Sequence, residues 1–360
     1  MAEKKDLMYI IGIDIKVDQV QISVFQEIYK EPIEIIKQYK DDLYEQIAQV
    51  FLEKEIRMEQ VKEVIFTTDE TTKKVRQGYI ELATKLGVPK EKISIITQET
   101  AYLHYIYRQE EKIWDHRVLL FDYGRDKIIC RKMEIIQRSV PMQIQLTEMD
   151  VSVPALFTGT LDSRDDVFSK VIRKVIGKEA ITSVFLTGSG FYGNWMKKSL
   201  KVLCSGRRVF LGENLYSNGA CFFGAYKDKT REPGEEPIVK ARDLVIHDIG
   251  VLSGDGEAER FIAITECGKE WYNTRGKIEV ILDHGSRIEF LFRNRFADEM
   301  QKEILEISSL PARPDKTTRL EIEIKFQGAN QGQILVRDLG FGLIYPATNK
   351  VFMKQFTLLS

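Results

Sequence analysis

The feature of this sequence that most constrains its fold is a pattern that occurs twice. In each copy an apolar run ends in an aspartate, a short turn follows, and a second apolar segment begins. The first copy has Asp14 after residues 9–13, and the second has Asp122 after residues 118–121. Two such strand-turn-strand units predict an internal duplication, in which two lobes place paired carboxylates across a cleft.

Composition narrows the class of protein. The 360 residues suffice for two or three domains, each with its own core. The 53 basic and 54 acidic residues nearly cancel, so no charge excess favours nucleic acid or a membrane surface as a partner. No apolar run approaches the roughly 20 residues that a membrane helix needs. The N-terminus leads straight into a predicted strand, so we expect no signal peptide.

The cysteines and histidines do not indicate a metal site. They show neither CxxC nor HxxxH spacing, which are common patterns of zinc ligands. We expect the cysteines to be reduced, partly buried thiols, as in a cytoplasmic protein. They are Cys130, Cys204, Cys221 and Cys267.

Hydrophobic periodicity predicts a similar order of elements in the two halves. In the first half, strands are expected near 9–14, 21–25, 33–38, 61–67 and 93–97, with helices at 41–54, at 71–86 and from Glu99. In the second half, strands are expected at 117–122, 127–136, 139–147, 183–187 and 207–211, with helices at 163–176, 191–200 and 217–226. This order favours two mixed sheets covered by helices.

The pattern changes after a polar stretch at 230–237 that contains two prolines and a glycine. Beyond it, apolar and polar residues alternate as in strands, which is typical of a β-sandwich. We therefore predict a nucleotide-binding-like domain at 1–229, a linker at 230–239 and a β-sandwich at 240–360. The first domain divides into lobe one at 1–112 and lobe two at 113–229.

Asp14 and Asp122 are the first candidates for chemistry. A carboxylate at the end of a buried strand can hold a hydrated Mg²⁺ beside the phosphates of a nucleotide. It can equally accept hydrogen bonds from its own turn, which is a structural role. Their equivalent placement in the two halves leaves both interpretations open.

The turns that follow the two acids lack most of what phosphate binding requires. A phosphate cradle needs converging N–H groups with no side chain in the way, so glycine is the usual residue. The first turn has no glycine, and the second has one, Gly124. Lys16, Arg125 and Lys127 can supply charge in place of backbone donors, although solvated turn residues are the simpler interpretation.

Two further positions are candidates for nucleotide contact. Gly188, Ser189 and Gly190 lie between a predicted strand and helix, where a glycine turn lets a base or ribose approach closely. Such short turns are also common structural features. Glu99 begins a predicted helix, where it can orient an attacking water or stabilise the helix N-terminus electrostatically.

Taken together, these segments resemble the actin-like ATPase superfamily, and within it the seventy-kilodalton heat-shock chaperones of the DnaK type. Gly12 and Asp14 lie in a segment that resembles the first phosphate motif, and residues 121–124 resemble the second. Residues 95–101 resemble the connecting segment whose acid, here Glu99, helps to position the water. Residues 185–190 resemble the adenosine motif. The resemblance implies two ribonuclease-H-like lobes and a site for ATP or ADP with Mg²⁺.

The C-terminal region resembles the peptide-binding β-sandwich of the same chaperones. The similar stretches are residues 307–314, 320–324 and 332–336. This resemblance implies that a protein or an extended peptide binds there, by adding beside a strand backbone. Neither a nucleic acid nor a membrane is an expected partner.

Several departures from the family pattern predict a reduced and degenerate relative. The first phosphate turn lacks the family's Gly-Thr-Thr, and residues 125–127 replace Gly-Gly-Thr in the second. The segment at 25–41 is too short for the subdomain that carries the family's catalytic lysine. The intervals 134–164 and 178–206 leave little room for the subdomain that closes over the base. The chain ends in an apolar run without the helical lid.

These departures favour one function over three others. The favoured function is a chaperone-like protein with a degenerate nucleotide site, a non-catalytic protein-interaction scaffold or pseudo-ATPase, for which bound ATP or ADP with Mg²⁺ and no cofactor are equally expected. The alternative is a chaperone-like protein that binds ATP or ADP with Mg²⁺ and hydrolyses ATP slowly, with Asp14, Glu99 and Asp122 as its catalytic residues. A fully active chaperone would need more phosphate-positioning groups than remain. A sugar kinase or a cytoskeletal protein would not carry the sandwich.

Overall fold

The structure is a computed structural model that describes residues 8–17, 19–38, 42–138, 141–226, 237–254, 259–297 and 299–358. These residues fall into two compact units. Unit 1 lies within Met1–Ile135 and Leu146–Pro233, and unit 2 lies within Ile136–Gln145 and Gly234–Ser360. The predicted linker at 230–239 lies outside the described residues as far as residue 236.

The first lobe of unit 1 is a five-stranded mixed sheet with helices. Its strands are β1 (Tyr9–Ile15), β2 (Gln19–Gln26), β3 (Ile33–Gln38), β4 (Val61–Thr68) and β5 (Ile93–Thr97). Its helices are α1 (Leu43–Glu53), α2 (Lys73–Lys85), α3 (Gln98–Tyr107) and α4 (Glu111–Trp114), with short 3₁₀ turns at Met58–Gln60 and Lys90–Lys92. The strand order is β3-β2-β1-β4-β5. The β1–β2 and β2–β3 pairs are antiparallel, whereas β1–β4 and β4–β5 are parallel.

The second lobe repeats this arrangement. Its strands are β6 (Arg117–Tyr123), β7 (Ile128–Gln137), β8 (Gln143–Asp150), β9 (Ile181–Thr187) and β10 (Arg208–Leu211). Its helices are α5 (Ala155–Thr158), α6 (Leu161–Ile176), α7 (Lys197–Leu203) and α8 (Leu215–Tyr226). The strand order β8-β7-β6-β9-β10 matches that of the first lobe. Strand β11 (Ile238–Lys240) pairs with Gln143–Gln145 of β8, and these paired residues belong to unit 2.

The register of the two sheets shows that the two acids are equivalent. Asp14 of β1 pairs with Thr67 of the parallel strand β4, and Asp122 of β6 pairs with Thr187 of the parallel strand β9. Both acids are therefore the penultimate residue of the first strand of a lobe. The duplication inferred from the sequence thus extends to individual strand positions.

One predicted helix is wrong. The sequence predicted a helix at 191–200, but the chain forms a 3₁₀ turn at Ser189–Phe191 and resumes a helix only at Lys197. Phe191 and Trp195 are both buried in the core of lobe two, and Gly193 has a φ of +90°. This left-handed backbone interrupts the helix, because packing of two large aromatic side chains outweighs helix propensity there.

Helices α3 and α8 hold the two lobes together. Helix α8 belongs to the second repeat but packs on the first sheet, where a Cβ added to Gly12 of β1 would lie 2.0 Å from the carbonyl oxygen of Ser217. Helix α3 reaches the second sheet, where the Tyr102 hydroxyl donates to the carbonyl of Val118 at 3.0 Å. The two helices meet at Gly219, whose added Cβ would lie 1.9 Å from the Ala101 carbonyl oxygen.

Unit 2 is an all-β domain built from two four-stranded sheets. Its further strands are β12 (His247–Ser253), β13 (Arg260–Thr265), β14 (Arg275–Leu282), β15 (Arg287–Asn294), β16 (Met300–Glu306), β17 (Thr318–Gly328), β18 (Gln331–Asp338) and β19 (Val351–Thr357). The strand orders are β13-β12-β15-β16 and β14-β17-β18-β19, and the pairs within both sheets are antiparallel. Alternate side chains of β17 (Leu320, Ile322 and Ile324) are fully buried. The alternation of apolar and polar residues in the sequence thus matches the alternation of fully buried and less buried side chains along the strand.

The strand orders confirm the predicted fold class. The first lobe of unit 1 has three strands joined antiparallel and two further strands parallel to the first, which is a ribonuclease-H-like sheet, and the second lobe repeats its strand order. Two such lobes form an actin-like body, and the all-β domain follows it in the chain. Within the described residues, no helix is long and apolar enough to cross a membrane.

The close approach at Gly219 gives a stability test with a matched control. Gly219→Ala in α8 is expected to lower the free energy of unfolding by about 1–3 kcal/mol, because the new methyl group must displace a backbone carbonyl. Gly78→Ala in α2 meets no atom within 4 Å. It is expected to stabilise by about 0.5–1 kcal/mol through helix propensity. Urea denaturation measures both changes, and a stabilising Gly219→Ala would contradict the packing described here.

Candidate functional site

The carboxyl ends of β1 and β6 meet between the two lobes, and Lys16 lies between their acids. The Lys16 ammonium is 3.3 Å from Oδ2 of Asp14 and 3.2 Å from Oδ2 of Asp122. The Asp14 side chain is fully buried and that of Asp122 is 13% exposed. One cation thus bridges the two equivalent acids, and it joins lobe one to lobe two.

A second cation, Arg131 of β7, fills the adjoining space. Its side chain is only 2% exposed. One amino group of the guanidinium is 2.7 Å from Oδ1 of Asp69 and 2.9 Å from Oε2 of Glu148, and the other is 3.7 Å from Oδ2 of Asp122. Arg131 therefore contacts three carboxylates that come from both lobes.

Neutral polar groups complete the arrangement. The Tyr216 hydroxyl accepts a hydrogen bond from Arg131 and donates one to Asp122 at 3.0 Å. Thr67 donates to Oδ1 of Asp14 at 2.5 Å, and the Gln98 amide donates to the same oxygen at 3.0 Å. We call this set the central polar cluster. It consists of Asp14, Lys16, Thr67, Asp69, Gln98, Asp122, Arg131, Glu148 and Tyr216.

Charge neutralisation governs the ionisation of this cluster. Burial alone would lower the pKa of Lys16, but the charges of Asp122 and Asp14 outweigh burial and raise it well above its ordinary value. Burial likewise tends to raise the pKa of Asp122, but Lys16 and Arg131 outweigh burial and lower it below its ordinary value of 3.8. The pKa of Tyr216 is raised well above its ordinary value, chiefly by burial. Lys16 and Asp122 are therefore both charged at neutral pH, and Tyr216 is neutral.

The remaining cationic candidates lie away from the acids. Arg125 is exposed. Lys127 is also exposed, and its ammonium is 3.3 Å from Asp69 at the rim of the cluster. The amide of Gly124 donates to the Lys127 carbonyl at 2.9 Å, which closes the β6–β7 turn on itself.

The Gly188–Gly190 turn is occupied by a side chain of the protein itself. A Cβ added to Gly190 would lie 2.2 Å from the ring of Tyr123, and one added to Gly188 would lie 2.4 Å from the Tyr123 carbonyl oxygen. Gly188 also has a φ of +102°. The Tyr123 ring is 2% exposed and lies 5.3 Å from the ring of Phe191. Gly190 thus makes room for this aromatic side chain and Gly188 for the backbone of the same residue, with Ser189 between them.

Glu99 lies in the first turn of α3 and is 2% exposed. Its neighbour Gln98 is the residue of α3 that donates to Asp14. A carboxylate in the first turn stabilises the positive end of the helix dipole. The structure is consistent with that structural role.

Sequence reasoning missed Arg131 and Tyr216. Arg131 lies between Ile129 and Met133 in a strand, and alternation places all three side chains on one face. Two apolar neighbours on that face were a signal that Arg131 faces inward. Tyr216 stands in an apolar helix and carries no comparable signal.

Among the described residues, no group of three or more His, Cys, Asp and Glu side chains is placed to hold a metal ion. Asp14 and Asp122 were predicted to act through water. The Lys16 ammonium lies within 3.3 Å of both.

Fold and cleft together define a two-lobed, actin-like protein whose paired acids are bridged by a lysine. A family model described as "Family of unknown function (DUF5716) C-terminal" matches residues 19–240, well over half of the chain. The chain belongs to this family. A second model, described as "Domain of unknown function (DUF8552)", matches residues 244–358. No curated protein matches the sequence.

Solved structures with a similar arrangement are distant. An inorganic polyphosphate/ATP-glucomannokinase from Arthrobacter sp. strain KM is 13% identical, with a TM-score of 0.43 over 61% of this chain and 99% of that one. The activator of the 2-hydroxyisocaproyl-CoA dehydratase from Clostridium difficile, with bound ADPNP, is 10% identical, with a TM-score of 0.38 over 62% and 99%. The ethanolamine utilization protein EutJ from Carboxydothermus hydrogenoformans is 12% identical, with a TM-score of 0.38 over 59% and 89%. The strand order and register of this chain, not its likeness to these structures, define its fold.

Removal of the bridging lysine tests the electrostatics of the cluster. Lys16→Met is expected to lower the free energy of unfolding at neutral pH by about 3–5 kcal/mol, because it leaves buried carboxylates unpaired. The pKa of Asp122 is lowered in the folded protein, so the stabilisation is present above its ordinary value of 3.8 and is lost as pH falls through the folded value. The difference between wild type and variant should therefore shrink in acid.

Lys127→Met is the matched control for this variant. Its partner Asp69 is 36% exposed and Lys127 itself is 52% exposed. An exposed pair of this kind contributes about 0–1 kcal/mol. Denaturation curves between neutral pH and pH about 3 measure both variants. Equal effects of the two substitutions would contradict a buried bridge at Lys16.

Proposed function

We propose that this protein is a non-catalytic interaction scaffold, a pseudo-ATPase whose actin-like body no longer uses Mg·ATP and whose β-sandwich binds a protein or an extended peptide. The observation that carries this proposal is the position of Lys16. Its ammonium stands within 3.3 Å of both acids that would face the metal and its water. Asp14 and Asp122 are thereby neutralised by a side chain of the protein itself.

The central polar cluster is a poor fit for a magnesium nucleotide. Mg²⁺ prefers an octahedral shell of oxygen ligands and keeps several waters. Here the space beside the acids holds the Lys16 ammonium and the Arg131 guanidinium, which repel a divalent cation. These two cations already neutralise the acids, so little negative charge remains to attract the metal. The side chains of the cleft therefore do not fit Mg·ATP.

The adenosine side supports the same proposal. A Gly-Ser-Gly turn binds a base when the space above its glycines is empty. In this protein the Tyr123 ring occupies that space at Gly190. Tyr123 is locked in place, because its hydroxyl donates to the Leu156 carbonyl and its ring packs against Phe191 and Trp195.

An exposed apolar loop in unit 2 supports the interaction role. The loop joins β18 to β19, and its residues Leu343 and Ile344 are 101% and 81% exposed. Val351 and Met353 of the following edge strand β19 are 53% and 59% exposed. Apolar side chains gathered beside an unpaired strand edge are typical of a surface that binds an extended chain by strand addition.

Asp338 holds this loop in a defined shape. Its carboxylate accepts two hydrogen bonds from Arg313 at 2.8 Å, and others from the amides of Gly340 and Thr348 and from the Thr348 hydroxyl. Burial tends to raise the pKa of Asp338, but these donors outweigh burial and hold it far below its ordinary value. A loop fixed by five hydrogen bonds loses little entropy when a partner binds.

Calorimetry with Mg·ATP tests the pseudo-ATPase proposal. We expect no binding heat that depends on Asp14 or Asp122 at nucleotide concentrations up to about 1 mM, a limit that corresponds to roughly −4 kcal/mol. A dissociation constant in the micromolar range that Asp14→Asn or Asp122→Asn weakens would contradict the proposal and favour the alternative, a protein that binds ATP and hydrolyses it slowly. If ATP binds, Asp14→Asn and Asp122→Asn should weaken binding only when metal is present.

Fluorescence anisotropy with a library of extended apolar peptides tests the interaction surface in the full chain. The double variant Leu343→Ser/Ile344→Ser is expected to weaken peptide binding by about tenfold or more, because it removes apolar contact area of the loop. Its folding stability should stay within about 0.5 kcal/mol, since both side chains are exposed. Ile281→Ser on β14, 53% exposed, is the control and should bind as wild type does. Equal losses in both variants, or no peptide binding by wild type, would contradict the proposal.

A further inference from the structure

Lobe two contains a cavity that is separate from the central polar cluster. It has a volume of about 620 Å³ and lies between the C-terminal half of α6, helix α7 and the segment before β10. This volume is within the range of about 300–1,000 Å³ that is typical of small-molecule sites. Its lining residues are Ser169, Arg173, Ile176, Gly177, Lys198, Lys201, Val202, Ser205 and Arg207.

The lining is strongly cationic. It includes two arginines, two lysines and two serines, with no carboxylate among the described residues that form it. In the part of the chain that the structure describes, neither Arg173 nor Lys201 has a carboxylate within ion-pair distance. Four positive side chains converge on one cavity although the whole chain has a net charge of only −1.

Interactions with helix dipoles do not fully explain why four cations line this cavity. Arg173 and Lys201 lie in the last turns of α6 and α7, where a cation is favourable. Lys198 lies in the first turn of α7, where the helix dipole disfavours a positive charge. The ion pair of Lys198 with Asp166 offsets this unfavourable interaction. Arg207 follows α7 and belongs to no helix. Arg207 is therefore the cation of this set that neither a helix dipole nor a carboxylate of the described residues accounts for.

Two of the cations have hydrogen-bond partners in the protein. One amino group of Arg207 donates to the carbonyls of Val202 at 3.1 Å and Ser205 at 3.0 Å. Its remaining N–H groups are not used by these bonds. Arg207 is thereby held in place, which favours binding because less side-chain entropy is lost. The Lys198 ammonium donates to Asp166 at 2.6 Å in an exposed pair, and Asp166 itself does not line the cavity.

We propose that this cavity binds an anion that carries two or more linked phosphate groups. Arginine and lysine are the usual partners of phosphate oxygens, and arginine can bind them in a bidentate manner. The serines add hydroxyl donors, and Ile176 with Val202 supply an apolar floor. Lys198 is paired with Asp166, and the three other cations exceed what a single phosphate requires and match the charge of a diphosphate. An inorganic oligophosphate and the diphosphate of a nucleotide share this chemistry.

Calorimetry of the full chain with inorganic tripolyphosphate tests this site. The titration is performed without Mg²⁺ at an ionic strength of about 0.05 M, where screening is weak. Wild type is expected to bind with a dissociation constant below about 1 mM, and orthophosphate should bind about tenfold more weakly. ADP distinguishes the two sources: equal affinity favours a nucleotide, and weaker affinity favours an inorganic chain.

Paired variants locate the binding. Arg173→Ala/Lys201→Ala is expected to weaken tripolyphosphate binding by about tenfold or more, whereas Lys174→Ala, on the same turn of α6 but outside the lining, should stay within about twofold. Lys127→Met at the rim of the central polar cluster, an exposed position where the substitution should barely change stability, should also leave the affinity unchanged, which separates this site from the cleft. Thermal unfolding verifies that each variant is folded. Absence of binding by wild type, or equal affinities of the Arg173/Lys201 and Lys174 variants, would overturn the proposal.

Discussion

The arrangement of unit 1 depends first on the contact of Lys16 with Asp14 and Asp122. Each acid stands at the same position of its own lobe, so without a cation between them two carboxylates would face each other in a largely buried site. Such an arrangement needs a metal, a proton or a basic side chain to be stable. In this chain the basic side chain is that of Lys16, which lies in the turn between β1 and β2.

Other features of the cleft also join the two lobes. Arg131 brings a second permanent charge that binds carboxylates of both lobes. Helices α3 and α8 approach through Gly219 without space for even a methyl group. Ion pairs and closely packed helices thus both join the two lobes.

The sequence predicted the architecture well and the site only in part. The repeat around Asp14 and Asp122 was sufficient to predict the two lobes, because strand periodicity and an acid at the strand end are local signals. The Lys16 bridge could not be derived, since it depends on how the second lobe meets the first. Arg131 had a weak signal in its apolar neighbours, whereas the role of Tyr123 at Gly190 depends entirely on tertiary packing.

The central claim is that Lys16 and Asp122 interact directly across the two lobes. A double-mutant cycle of unfolding free energies with Lys16→Met and Asp122→Asn measures this interaction most directly, since it removes the effects that each substitution has alone. At neutral pH the account predicts a coupling energy of about 1–3 kcal/mol. A coupling energy of zero within about 0.3 kcal/mol, with both variants folded, would contradict it.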